Sequence, residues 1–297
     1  MITCNLMGGL GNQTFQIFAT ISYAIDNKKK IKFLNKDNTL GSTIRNTFWN
    51  TFFSKLKPFL IETLPEKMHV IKEEGFSYNP LNMDTITNKT NENIMIQGYF
   101  QSYKYFQENY DVIYRMLNIN EKKNTLLKKL ELTNNTLNDS ISMHFRLGDY
   151  KSFLEYHCIL ECNYYEKALT YILERITDTN ADTNADTESE YYQFFTLYYF
   201  CEEEDIKEVT DTIQILIEKF PQCIFKRGSN ELADWEQMLF MSCCKYNIIA
   251  NSSFSWWSAY LNSKKDKMVC YPSTWFGPSL SHLDTKDMYP LEWIKIV

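Results

Sequence analysis

Short apolar runs, each followed by large side chains at helical spacing, recur along the chain. Ile2 to Met7 reads as a buried strand. After a glycine cluster, Phe15, Ile17, Phe18, Ile21 and Ile25 repeat at helical spacing up to Asp26-Asn27, and Ile31 to Leu34 reads as a second strand. Strand, glycine turn, helix, strand is the opening of a parallel βαβ unit. Residues 38–110 are aromatic and mixed, and within them Ile94 to Ser102 reads as a strand entering a turn. Glu121 to Leu132 is a charged helix, and the Asn-rich connector Thr133 to Ser140 is the expected domain boundary.

The pattern then restarts. Ile141 to Arg146 is a strand, Asn163 to Ile176 a helix, Gln193 to Cys201 a strand, and Val209 to Phe220 a helix. Cys223 to Phe225, Tyr246 to Ala250 and Met268 to Tyr271 are further strands. Trp235 to Cys244 and a segment opening at Asn251 are helices between them. Thr177 to Glu190, with a tandem Asp-Thr-Asn-Ala repeat, reads as a solvated, disordered insertion. Two blocks of strand–helix alternation imply an α/β protein of two doubly wound domains facing a cleft, divided as residues 1–135 and 136–297.

Composition narrows the function. The 297 residues suggest about two domains at roughly 150 residues each, and 44% hydrophobic content excludes intrinsic disorder. A net charge of −6 without a basic block excludes a nucleic-acid binder, yet permits one anionic ligand at a local positive site. With no signal peptide, no spanning apolar stretch and eight cysteines in no metal-ligand spacing, the expected setting is the cytoplasm, with reduced thiols. Sequons at Asn12 and Asn251 lie inside the motifs below, which suits an unglycosylated chain.

Three stretches carry candidate chemistry. Gly8-Gly9-Leu10-Gly11-Asn12 sits at a strand-to-helix turn, where backbone approaches a ligand closely or simply turns tightly. It is neither a dinucleotide fingerprint nor a P-loop. His144-Phe145-Arg146-Leu147-Gly148-Asp149-Tyr150 puts His144 and Arg146 on one side of a strand. An Arg at a strand end binds a diphosphate bidentately; the plainer readings are a core histidine and a local Arg146–Asp149 salt bridge. Asn251-Ser252-Ser253 precedes a helix, where small hydroxyls are caps or phosphate ligands. Asp234 and Glu236 open the preceding helix, where a carboxylate either pairs with a guanine edge or complements the helix dipole. Trp256 and Trp257 read as core, and the aromatics from Tyr99 to Tyr105 as core first and sugar-stacking surfaces second.

Together these stretches resemble the glycosyltransferase family 11 fucosyltransferases, best known for α-1,2-fucosyl transfer. The resemblance rests on Gly8 to Gln16, Gly98 to Ser102, His144 to Tyr150 and Tyr246 to Leu261, in the family's order. It departs at Leu147, where many members carry a second Arg, and in the insertion near 177–190. What it implies is a GT-B-type fold of two Rossmann-like domains, the first mainly for the acceptor and the second for a GDP-sugar. The implied reaction is inverting, metal-independent transfer of L-fucose from GDP-β-L-fucose to a sugar hydroxyl, with no cofactor and no metal-binding residues. The expected partners are the donor and a glycan acceptor. By carry-over, Arg146 binds the β-phosphate, His144 and one of Asp234 or Glu236 address guanine or ribose, and Ser252, Ser253 and Phe254 cradle the diphosphate. Gly8, Gly9, Gly11 and Asn12 form the opposite wall. Asp149 is either the general base or a residue orienting Arg146. The alternatives are another GDP-deoxysugar or linkage on the same scaffold, and a non-catalytic sugar-nucleotide or glycan binder.

Overall fold

A computed structural model describes residues 1–36, 46–81, 93–183 and 194–297. They divide into two compact units, Met1–Lys122 with His282–Leu291, and Lys123–Ser281 with Glu292–Val297.

The first unit is built on short parallel strands. β1 (Ile2–Cys4) leads into α1 (Leu10–Asp26), followed by β2 (Phe33–Leu34), β3 (Leu60–Ile61), β4 (His69–Lys72) and β5 (Ile94–Gln97). The strands pair in parallel in the orders β1-β5-β4 and β2-β3, and the bridge Ile2–Ile31 carries β1 toward β2. α1 has no side-chain cap at Gly9 and instead gains its stability from burial, with residues from Leu10 to Ala24 inside on nearly every face. Its buried hydroxyls bond within the helix, Thr14 to the Leu10 carbonyl at 2.7 Å and Thr20 to that of Gln16 at 2.6 Å. α2 (Tyr110–Met116) and α3 (Ile119–Lys129) follow. The division between the units falls inside α3, so the connector 133–140 lies within the second unit. Lys123, in the second half of α3, donates to the Leu261 carbonyl at 2.5 Å and ties that half to the second unit. The late segment 282–291 returns to the first unit, where Asp287 accepts from the Tyr78 N–H at 3.2 Å and ion-pairs with Lys104.

The second unit is a complete Rossmann-type sheet. Its elements are β6 (Ser140–His144), α4 (Cys162–Thr183), β7 (Phe195–Phe200), α5 (Ile206–Lys219), β8 (Cys223–Arg227), α6 (Asp234–Met241), β9 (Tyr246–Ile248), α7 (Ser253–Tyr260), β10 (Met268–Pro272) and β11 (Ile294–Ile296). All six strands are parallel, in the order β11-β10-β9-β6-β7-β8. Numbered from β6, that is the doubly wound order 3-2-1-4-5-6, whose switch point lies between β6 and β9. Ile141, Met143, Leu169, Leu197, Leu216 and Ile248 form its core, and Trp256 and Trp257 are fully buried as expected. The α/β class and the two parallel-sheet units match the sequence reading. Two local expectations do not hold. The strand ends at His144, which leaves Arg146 in the following turn, and α4 runs on through residues 177–183, assigned to the insertion. Extending an established helix costs far less than nucleating one, so weak helix formers are carried along. Residues 184–190 of that insertion lie outside the described residues. Among the described residues, no helix is long and apolar enough to cross a membrane.

Candidate active site

At the switch point of the second unit, the ends of β6 and β9 stand side by side, paired as Met143 with Ile248. In such sheets ligands bind beyond the carboxyl ends of the strands at this crevice. His144 ends β6 and is buried, with its ring 5.5 Å from that of Phe254 in the first turn of α7. Burial, helped by the Arg146 charge, pushes its pKa down to about 3, so the imidazole is neutral at ordinary pH. Its Nδ1 is buried without a hydrogen-bond partner. Beyond β9, the Asn251 amide donates to the Cys158 carbonyl at 2.8 Å and the Trp275 carbonyl at 3.1 Å, and its Oδ1 is buried and unpaired. Ser252 caps α7, its Oγ accepting from the Phe254 N–H at 3.3 Å. Ser253 opens α7, half-buried, beside the N–H groups that a helix start leaves without intrahelical partners.

After β6 the chain alternates inward and outward. Phe145 and Leu147 join the core, while Arg146 faces away from it. Leu147 therefore serves packing. Arg146 is engaged by two carboxylates, Nη2 with Asp149 one turn on and Nη1 with Glu202 beyond β7. Burial works against its charge, and the two carboxylates outweigh that and hold it cationic. Its guanidinium lies over the Tyr150 ring, 4.9 Å from the centroid, and that ring stacks on His157 at 4.0 Å. The Tyr150 hydroxyl donates to the Asn251 carbonyl at 3.0 Å, linking the β6 turn to the β9 turn, and burial raises its pKa to about 12. The buried Asp205 accepts from the Gly148 N–H at 2.7 Å and pairs with Lys151 at 3.0 Å. The sequence reading missed Glu202 and Asp205 and named Asn251 only within the Asn251–Ser253 stretch; all three position the Arg146 turn. Their signal was acids and an amide just past predicted strand ends.

Asp234 and Glu236 take structural contacts at the start of α6. Glu236 accepts from the Ala233 N–H at 3.0 Å and pairs with Lys129 at 2.8 Å, and Asp234 is exposed at the first helical position. Among the described residues, neither hydrogen-bonds nor ion-pairs with the Arg146 cluster. No group of three or more His, Cys, Asp or Glu among the described residues is arranged to hold a metal ion.

The first unit has its own cluster at the carboxyl ends of neighbouring β1 and β5. Gly8 is left-handed, φ 74°, and a Cβ there would come 2.4 Å from the Asn12 amide. Gly9 is the exposed cap of α1, and Gly11 is buried inside its first turn. Gln13 fixes the turn by donating to the Gly8 carbonyl at 3.0 Å and that of Asn46 at 2.9 Å. Gln16 pairs with both backbone groups of Met7. Asn12 accepts from Gln101 at 2.7 Å, which joins this turn to Gly98–Ser102. There Phe100 is left-handed at φ 52°, and the Glu73 carboxylate accepts the Tyr99 and Phe100 N–H groups at 2.7 and 2.9 Å. Phe100 is fully buried and Tyr99 is exposed, so the aromatic stretch splits between the two readings.

The chain is similar to known glycosyltransferases. The profile of glycosyl transferase family 11 matches residues 204–297, which include the Asn251–Phe254 turn but not His144–Tyr150. An α-1,2-colitosyltransferase of Escherichia coli is 26% identical over all of this chain and 99% of its own length. The O-antigen biosynthesis glycosyltransferase WbnK of Escherichia coli is 28% identical over 67% of this chain and 59% of its own. Among solved structures, an Arabidopsis thaliana FUT1 mutant in complex with GDP has a TM-score of 0.45 at 10% identity, covering 88% of this chain and 68% of that one. POFUT1 in complex with GDP-fucose gives 0.45 at 10% identity, over 91% and 97%. The chain is a glycosyltransferase. Within that class its similarity runs to family 11, whose profile matches the last third of the chain.

Proposed function

We propose that this glycosyltransferase moves a deoxyhexose from a GDP-sugar to a sugar hydroxyl, with GDP-β-L-fucose as donor and α-1,2 transfer to a terminal galactose or related sugar. The observation that carries the reading is the assembly at the β6/β9 switch point: Arg146, the buried neutral His144 and the Ser252–Phe254 helix start all lie at the carboxyl ends of adjacent strands. Glycosyl transfer passes through an oxocarbenium-like state in which charge accumulates on the leaving diphosphate. Arg146 meets that charge with a planar fork, and the N–H groups at the start of α7 add a second, uncharged contact. In this reading the leaving group is stabilised without a divalent ion. His144 supplies a neutral hydrogen-bonding edge for ribose or base, and Asp234 or Glu236 would recognise guanine from the start of α6. The ion pair between Asp149 and Arg146 supports the orienting role for Asp149 over that of general base. Gly8 to Asn12 and the exposed Tyr99 belong to the acceptor side in this reading.

A second reading, another GDP-deoxysugar on the same scaffold, is favoured by the full-length relation to an α-1,2-colitosyltransferase. One experiment tests the fucosyl reading. The protein is incubated with GDP-fucose and a panel of galactosides, with and without EDTA, and the product linkage is read by NMR. Acceptor-dependent release of GDP with an α-1,2 linkage, unaffected by EDTA, is expected. Donor turnover that no acceptor stimulates would overturn the fucosyl reading, and dependence on added Mg²⁺ or Mn²⁺ would overturn metal independence.

A further inference from the structure

Arg146 does not stand alone as a cation. β6 and β7 pair in parallel with His144 opposite Phe200, and the ladder continues one bond further, the Phe145 N–H donating to the Phe200 carbonyl at 2.8 Å. Arg146 and Glu202 are each two residues past that pair, so the strand register sets them face to face. Gly148 completes the arrangement. Its φ is 35°, and a Cβ there would come 2.5 Å from Glu202 Oε2, so the carboxylate lies against bare backbone. Both terminal nitrogens of Arg146 are thereby taken by carboxylates, Asp149 from its own turn and Glu202 from the neighbouring strand. Around them, Arg146, Lys151 and Arg227 face Asp149, Glu202, Glu203, Asp205 and Glu208, so carboxylates outnumber cations. A diphosphate approaching this turn meets net negative charge and an occupied fork.

We infer that Glu202 competes with the donor diphosphate for Arg146: it holds the guanidinium in place, yields it when the diphosphate binds, and so sets donor affinity. Of the two carboxylates, Glu202 is the one free to leave. Both are about half exposed, but Glu202 enters from another strand, whereas Asp149 is fixed by the same turn as Arg146. The inference rests on the donor reading given above.

The test is calorimetric titration of the wild type, Glu202→Gln and Arg146→Ala with inorganic pyrophosphate and with GDP. Glu202→Gln keeps the shape and removes the charge. It should tighten both ligands by about three- to fivefold, the scale of one partly exposed ion pair. The gain should shrink as ionic strength rises. Unchanged or weaker affinity in Glu202→Gln overturns the competition, and Glu202→Ala gives the same reading should the Gln variant fold poorly. The donor reading fails separately. If Arg146→Ala leaves GDP affinity intact, the site does not bind diphosphate at all. If Arg146→Ala abolishes binding while Glu202→Gln changes nothing, only the competition is wrong.

Discussion

Arg146 shows why single residues here are not interchangeable with chemically similar ones. Its guanidinium spans two carboxylates and stacks on Tyr150, all through one planar fork that an ammonium lacks. Arg146→Lys should therefore fold and still lower kcat by roughly 100-fold or more, the scale for losing one preorganised donor to a developing anion. Steady-state kinetics with saturating donor checks this, and near-normal kcat would rule out the fork as the main stabiliser. His144 makes a different prediction, in pH. Its folded pKa of about 3 lies below the ordinary 6.5, so the unfolded chain binds the proton first as pH falls. Stability from His144 is full above pH 6.5 and is lost on descending toward 3. Between pH 7 and 5 the loss is on the order of 1–2 kcal/mol, and His144→Asn should remove that slope in denaturant titrations. Arg146 was legible because an Arg at a strand end already suggests anion chemistry, whereas His144 by itself read as a core histidine. Glu202 was not legible, since an acid in a run of acids acquires its role only through the register that sets it against Arg146. Gln13 and Gln16 were equally silent, because polar side chains on an apolar helix reveal their purpose only once the backbone groups of Met7, Gly8 and Asn46 lie beside them.

At the scale of elements, the start of α7 separates two readings that the sequence left joined. Ser252 is the cap, and Ser253 makes no cap bond. Ser252→Ala should cost about 1 kcal/mol of stability by chemical denaturation. Ser253→Ala should stay within about 0.5 kcal/mol and weaken GDP binding instead. If Ser253→Ala left GDP affinity unchanged, the hydroxyl would have no part in holding phosphate. β7, Phe-Thr-Leu-Tyr-Tyr-Phe, was readable because it is a nearly unbroken run of apolar and aromatic residues. β4, His-Val-Ile-Lys, is mostly exposed and was missed, since an edge strand carries no burial pattern to read. β11 went unnoticed for another reason. It comes after a segment that returns to the first unit, so its partner β10 is not its near neighbour in sequence. The overrun of α4 past Ile176 shows the opposite error, local propensity outweighed by propagation of a long helix.

The whole molecule carries a pH signature in which two sets of buried groups oppose each other. Burial pushes the thiols of Cys4, Cys223, Cys244 and Cys270 up to about 12 from an ordinary 9. Their contribution is complete below pH 9 and is lost as pH rises toward 12, because the unfolded chain then releases protons that the folded one keeps. Lys123 and Lys267 act the other way. Burial lowers each to about 8 from 10.5, so folding holds fewer protons than the unfolded state between those values, and stability rises with pH there. Both ammoniums bond the carbonyls that end α7 or follow it, Lys123 at Leu261 and Lys267 at Ala259 and Asn262, so a cost of charge burial is built into the second unit. The lysine window opens one unit below the thiol window. At pH 9 each lysine has regained about 1.4 kcal/mol, whereas each thiol has lost only about 0.4 kcal/mol. By pH 11 the thiols have lost about 2.7 kcal/mol apiece and outweigh the lysines, whose gain of about 3 kcal/mol each applies to half as many groups. The free energy of unfolding, followed under reducing conditions, should therefore be level or rise slightly from pH 8 to 9 and fall steeply above 10. Replacing both lysines with Met should abolish the rise and leave only the fall, which would then begin near pH 9. A double variant that kept the rise would show that these ammoniums remain charged inside the fold.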